Sequence, residues 1–332
     1  MGSKVRMSDI AEKLGVSTVT VSKALSGKDG VGEELRGRVF RAAAEMGYLP
    51  KNGAKHGLEG KTVGILISSQ FLSQAQSFYW SMYERVLLCF RERDAFGLLE
   101  SVELDDMRSL QMPRIMESGR IQALLVIGQL DTDYLKKVLS SGIPTVQLDA
   151  CQLSAELDTV ISDGYYGTYR MTNYLLDRGH TRIAYLGRVG ATSSITDRYF
   201  GYCRALRERN ISLREDWVIS DRDDCGENQI ELPDELPTAF VCNCDAAAYH
   251  LIRLLNNMGL RVPQDISLVG FDDFLFSNLA EPRITTYAVD MEGMARASVA
   301  QLIERMAHPE KRPDFRVISG CLVEKESVLA IN

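Results

Sequence analysis

Residues 7 to 25, MSDIAEKLGVSTVTVSKAL, set two short runs of helical periodicity on either side of Gly15-Val16-Ser17, and few folds accept so tight a turn between two helices. In the first run Ile10, Ala11 and Leu14 share a face that Ser8 is placed to cap. In the second, Val21, Ala24 and Leu25 share a face that Ser17 is placed to cap. The pattern predicts a helix-turn-helix. It suits an ordinary helical hairpin in a core, and it equally suits a DNA reader whose second helix enters the major groove. On the second reading the contacts fall to the start of that helix: Ser17, Thr18, Val19, Thr20, Ser22 and, one turn later, Lys23.

A third helix is expected over residues 33 to 46, where Leu35, Val39, Ala43 and Met46 recur at helical spacing and Gly47 follows where a helix would stop. Gly32 stands at its N-cap. Arg36, Arg38 and Arg41 are placed either to touch phosphates or to form a solvated face. Asp9-Ile10-Ala11, Gly15-Val16-Ser17, Thr20-Val21-Ser22 and Leu25, followed after the third helix by Gly47 to Pro50, resemble the headpiece of the LacI/GalR family of bacterial transcription regulators. Two positions depart from that pattern. Lys23 replaces the usual Arg and Ser26 the usual Asn, and Lys offers guanine a point donor where Arg makes two fixed hydrogen bonds.

Charge divides along the same line. Residues 1 to 60 hold ten Lys/Arg against seven Asp/Glu, a balance of +3, whereas the rest holds 28 against 38, a balance of −10. The basic part suits DNA and the acidic part avoids it. A module of only +3 binds weakly as a single copy, so a dimer is expected. Seven scattered cysteines in odd number predict reduced thiols, and Cys242 and Cys244 fit a buried strand better than a metal, since no second Cys/His pair completes a zinc set. No apolar run approaches a membrane span and the start has no apolar signal core, so a cytoplasmic protein is expected.

After a hinge or linker at residues 51 to 61, the pattern becomes strands alternating with helices: VGILIS (63–68), FGLLESV (96–102), ALLVI (123–127) and TVQLD (145–149). A second run follows with TVIS from Thr159, RIAYLG (182–187), AFVCN (239–243) and ISLVGF (266–271). Parallel sheets with crossover helices are predicted, in two similar α/β lobes. YLLDRGHTRIAYLG (174–187), GLRVPQDISLVGFDD (259–273) and PRITTY (282–287) extend the LacI/GalR resemblance over nearly the whole chain.

The resemblance implies an N-terminal three-helix headpiece over residues 1–50 and a periplasmic-binding-protein-like effector and dimerisation domain over 62–332. Lobe 1 would take about 62–158 and 289–320, and lobe 2 about 159–288 and 321–332, with three crossings between them. It also implies a hinge helix whose leucine wedges into the minor groove of the operator. Counting from Pro50 puts Gly57 at the wedge position, with Leu58 one residue later as the apolar candidate. Gly53, Gly57 and Gly60 each cost a helix about 1 kcal/mol relative to Ala.

Open α/β sheets bind ligands beyond the carboxyl ends of their strands, which selects Asp149 after TVQLD, Asp245 after VCNC, and Phe78 and Tyr79 after the first strand and its loop. Asp149 also suits a turn cap, and the two aromatics suit plain core. Arg198 in TDRYFGY matches the family arginine that contacts effectors in many members. An arginine fork, carboxylates and aromatic faces suit a sugar, and the same chemistry would accept a purine or a carboxylated ligand.

No glycine-rich phosphate motif is present and none of His56, His180, His250 and His308 has a nucleophile partner by spacing, so an enzyme is not expected. The reading is a repressor that binds a pseudo-palindromic double-stranded operator as a homodimer and answers to a small effector, with no cofactor and no membrane partner. Its rivals are a sugar-binding protein of a transport system, and a regulator controlled by a protein co-effector or a purine. No leucine heptads follow the last strand, so a dimer rather than a tetramer is expected.

Overall fold

A computed structural model describes residues 7–25, 31–32, 35, 37–39, 42–43, 57–72, 78–153, 156–223 and 229–331. The chain forms two compact units, Met1–Glu59 and Gly60–Asn332. In the first, helix α1 (Met7–Leu14) and helix α2 (Thr18–Leu25) bracket the turn. Gly15, at a φ of +66°, lets its own N–H reach Glu12 O and the Val16 N–H reach Ala11 O at 3.0 Å, which closes α1 in a Schellman motif. Ile10, Ala11, Val21 and Ala24 are buried with Val39, Ala42 and Ala43 of a third helical stretch, and Leu14, Leu25 and Leu35 pack against them. Ser8 does not cap α1. The helix already runs from Met7, and the Ser8 hydroxyl donates to Asp9 Oδ1 within its first turn.

The second unit carries two parallel sheets. The first has the order β2 (Phe96–Val102), β1 (Thr62–Ser68), β3 (Ala123–Ile127), β4 (Thr145–Leu148), β5 (Asp158–Ser162), β11 (Phe315–Ile318). The second runs β7 (Val218–Ile219), β6 (Ile183–Leu186), β8 (Ala239–Cys242), β9 (Ser267–Val269). A two-stranded antiparallel ribbon of β10 (Thr286–Ala288) and β12 (Cys321–Val323) joins β9 through a parallel bridge from Val269 to Thr285.

One strand falls elsewhere than the sequence pattern predicts. TVIS does not open the second sheet; as β5 it pairs with β4 and β11 and completes the first. Its apolar content suits either sheet, and only the position of the following crossover assigns it.

Helices α3 (Phe78–Arg91), α4 (Thr132–Leu139), α5 (Gly164–Leu176), α6 (Ser193–Glu208), α7 (Asp245–Asn257) and α8 (Met291–Ala307) supply the covering layers. The period-2 alternation of the strands divides the second core cleanly. Ile183, Tyr185, Ala239 and Val241 face Met171, Leu175, Tyr202 and Leu206, whereas Ala184, Leu186, Phe240 and Cys242 face Ala248, Leu251 and Leu255. Cys242 is therefore a core residue, as its strand position predicts, and the described cysteines are free thiols.

Gly201 allows α5 and α6 to touch: a Cβ there would lie 2.1 Å from Tyr165 O. The chain passes between lobes after β5, after β10 and after β11. Asp163 and Asp290 cap the helices that follow the first two passages, accepting from Tyr166 N and Gly293 N.

Candidate functional site

The start of α2 is built for exposure. Ser17 Oγ accepts from Thr20 N at 3.0 Å and bonds Thr20 Oγ1 at 2.8 Å, so the expected N-cap forms and leaves the outer face to other residues. Ser17, Thr18, Val19, Ser22 and Lys23 are exposed and Thr20 is half-buried, while Val21 and Ala24 face inward. Arg38 is exposed on the third helical stretch. Arg36, Arg41 and hinge residues 51–56 lie outside the described residues. Leu58 is buried at 1% exposure. A wedge role would require its side chain to leave that site.

In the second unit the carboxyl ends of both sheets meet at the lobe junction. The strand order reverses between β1 and β3 in one lobe and between β6 and β8 in the other, and ligands of doubly wound sheets sit at such points. A groove of about 970 Å³ opens there. Gln70, Phe71, Gln129 and Leu130 line it from the first lobe, and Arg188, Thr192 and Arg222 from the second. Hydrogen bonds bridge the two walls: Ser193 N donates to Gln129 Oε1 at 2.9 Å, and Cys151 N donates to Ser193 Oγ at 3.1 Å.

Behind the groove lies a buried charge cluster. Arg198, 5% exposed, donates from Nη1 to Asn243 O at 2.6 Å and from Nη2 to Asp272 Oδ1 at 3.3 Å, and its guanidinium stacks 3.9 Å from the centre of the Phe271 ring. Its Nε has no partner among the described residues. Asp149, 4% exposed and at a φ of +62°, accepts from Ser162 Oγ at 3.4 Å and pairs with the Tyr79 hydroxyl.

Burial pushes the Asp149 carboxyl up to about 6 against the pull of Arg198. Burial likewise pushes Asp272 up to about 7, with Arg198 opposing and Asp149 adding to the rise. Arg198 thus pairs with Asp272 of its own lobe and acts through space on Asp149 of the other. Tyr79 also packs on Phe71, ring centres 4.7 Å apart, and Phe78 reaches across the junction to Phe274 at 6.4 Å.

The structure therefore brings together Phe78, Tyr79, Asp149 and Arg198. None of these four is among the residues that line the groove, and neither is Asp245. That carboxylate is 1% exposed and accepts from Thr286 Oγ1 at 2.6 Å and Phe274 N at 2.9 Å, the bonding of a residue that holds a loop. Asp272, Gln129 and Ser193 were missed from sequence. Asp272 lies just past β9, so the rule that selected Asp149 also reaches it; Gln129 and Ser193 offer no signal beyond strand-end and helix-start positions. His180 bonds Thr238 Oγ1 and Leu329 O and ties the last residues to the segment that leads into β8. Among the described residues no cluster of side chains is arranged to hold a metal ion, and no helix is long and apolar enough to cross a membrane.

Residues 6–51 match the family described as bacterial regulatory proteins, lacI family, and residues 172–328 match the periplasmic binding protein-like domain. The HTH-type transcriptional repressor PurR of Pectobacterium carotovorum subsp. carotovorum is 30% identical over 332 residues, covering 96% of each chain. The repressor PurR of Vibrio vulnificus is 28% identical over 343 residues, covering 98% of each. Among solved structures, a CelR–cellobiose complex superposes with a TM-score of 0.68 at 23% identity over 97% of this chain and 99% of its own. The lac repressor dimer bound to operator and the anti-inducer ONPF gives 0.67 at 23% over 99% and 100%.

The relatives align through headpiece and effector domain alike and are repressors rather than enzymes, which sets aside the transport reading. The chain belongs to the lacI family of bacterial regulatory proteins and is a DNA-binding transcriptional repressor with a helix-turn-helix headpiece and a two-lobed periplasmic-binding-protein-like domain.

Proposed function

We propose that this repressor acts in the cytoplasm as a homodimer on a pseudo-palindromic operator, that α2 reads the major groove through Thr18, Val19 and Lys23, and that a small effector in the interlobe groove sets operator affinity. The observation that carries the effector reading is the groove's composition: both lobes furnish its walls, so a ligand there binds one lobe arrangement better than another. Such differential binding is the condition for coupling.

The preferred effector is a mono- or disaccharide. Arg108, Arg188 and Arg222 line the groove together with Asp131, Asp133 and Asp223, the Gln70 and Gln129 amides and the Phe71 ring. Donors, acceptors and one aromatic face match sugar hydroxyls and the apolar sugar face. Tyr79, Asp149 and Arg198 would sense the ligand from behind by their linkage across the junction.

The test is thermal shift of the full chain against mono- and disaccharides, sugar phosphates and purine bases, followed by gel shift on operator DNA with each hit. A sugar that raises the melting temperature and changes operator affinity supports the reading. A response to purines alone overturns the sugar class. A monomer in sedimentation with operator present overturns the dimer.

A further inference from the structure

We infer that Val19 reads the 5-methyl group of a thymine in each operator half-site, an assignment that rests on α2 being the groove-reading helix. Val19 is 62% exposed, and among the described residues of the first unit it is the one large apolar side chain left exposed. A lone surface valine is ordinary in itself. Its setting is not. It is the second residue of an eight-residue helix, and Ser22 and Lys23 follow it at i+3 and i+4 on the same face. Its in-helix neighbour of like size, Val21, is fully buried. The +3 balance of residues 1 to 60 favours a polyanion as the partner of this unit.

The chemistry of the groove leaves Val19 one specific partner. The major-groove edges of guanine, cytosine and adenine present acceptors or amino donors, and thymine alone adds a methyl group, at C5. Valine can neither donate nor accept, so set against O6, N7 or N4 it would strip water from a polar group and return nothing. Against the thymine methyl it gains apolar contact without that loss. Lys23, one turn on, is then left to the acceptors of a purine in an adjacent step. Ser17 holds the helix start by its cap, so Val19 arrives on an ordered backbone.

The experiment begins with selection of duplexes from a random pool by the full-length protein. Each thymine of the selected operator is then replaced, symmetrically in both half-sites, by deoxyuridine, which lacks only the methyl. Loss of one buried methyl should weaken wild-type binding about fourfold per half-site, and about fifteenfold for the pair, at one thymine position. Val19→Ala should bind the thymine and uracil operators alike, while Val19→Thr, which keeps a methyl at that place, should retain most of the discrimination.

Uracil tolerance at every thymine by the wild-type protein, or a uracil effect unchanged in Val19→Ala, would overturn the inference and leave α2's groove reading intact. Selection of no duplex would overturn that reading and this inference with it. An unchanged salt slope of non-specific binding would show that Val19→Ala keeps its fold.

Discussion

At the lobe junction Arg198 pairs with Asp272 and attracts the Asp149 carboxyl through space, and replacing Asp149 by Asn tests that arrangement. The Asp149 carboxyl ordinarily loses its proton near 3.8 and is held up to about 6 in the folded chain. Between those values the native state carries a proton that the unfolded chain has lost. Stability therefore falls as pH rises, by about 1.4 kcal/mol per pH unit for each such proton. From pH 4.5 to 7.5 this one group should cost about 2 kcal/mol. Asp272, held up to about 7 partly by the charge of Asp149, adds to the slope in the wild type and drops towards its ordinary range in the variant.

Asp149→Asn should therefore flatten the decline by about 2 kcal/mol or more, and near pH 7.5 it should be at least as stable as wild type, because Arg198 keeps Asp272 as a partner. Urea unfolding followed by tryptophan fluorescence reads this directly: Trp80 and Trp217, the chain's two tryptophans, both lie in the second unit. Taking the difference between the two proteins removes titrations elsewhere, including that of His180. Parallel curves, or wild-type stability that rises over this window relative to the variant, would refute this account of the cluster.

Ser17→Ala removes the acceptor of the Thr20 amide and should cost the headpiece about 1 kcal/mol, seen as weaker operator binding in fluorescence anisotropy with an unchanged effector-domain melt. Lys23→Ala should reduce discrimination at one base pair by roughly fivefold, at the lower end of a base contact because Lys is a single point donor; an equal loss on all sequences would make it a phosphate contact. Gly201→Ala forces a methyl to within 2.1 Å of the Tyr165 carbonyl and should destabilise the second unit by at least about 3 kcal/mol in the same urea assay. Gln129→Leu removes the acceptor of the Ser193 amide across the lobes, and should weaken the effector response in gel shifts while operator binding without effector persists.

The headpiece was legible because its information is local. Gly15 at positive φ, Ser17 at the cap and the apolar residues at helical spacing act within a few positions of one another, and the turn forms as those residues predict. Strands were legible for a related reason: a strand buried on both faces must be apolar throughout, as ALLVI is. Asp158–Ser162 shows the limit, since nothing in its composition distinguishes a strand of the first sheet from the first strand of the next. Asp245 shows another. Its place beyond a strand resembles that of Asp149, yet Thr286 Oγ1 and Phe274 N, 41 and 29 residues away, occupy its oxygens.

The sequence by itself determined the two-part plan, the helix-turn-helix with the exposed start of its second helix, and the separation of charge between a basic headpiece and an acidic two-lobed domain, because periodicity, caps and charge are properties of neighbouring residues. Only the tertiary structure decided which carboxylates come within electrostatic reach of Arg198. Asp149 and Asp272 are 123 positions apart and come together where two separately wound sheets end, so their burial, their raised proton affinity and the pull of Arg198 on both follow from the packing of lobes and from no local signal.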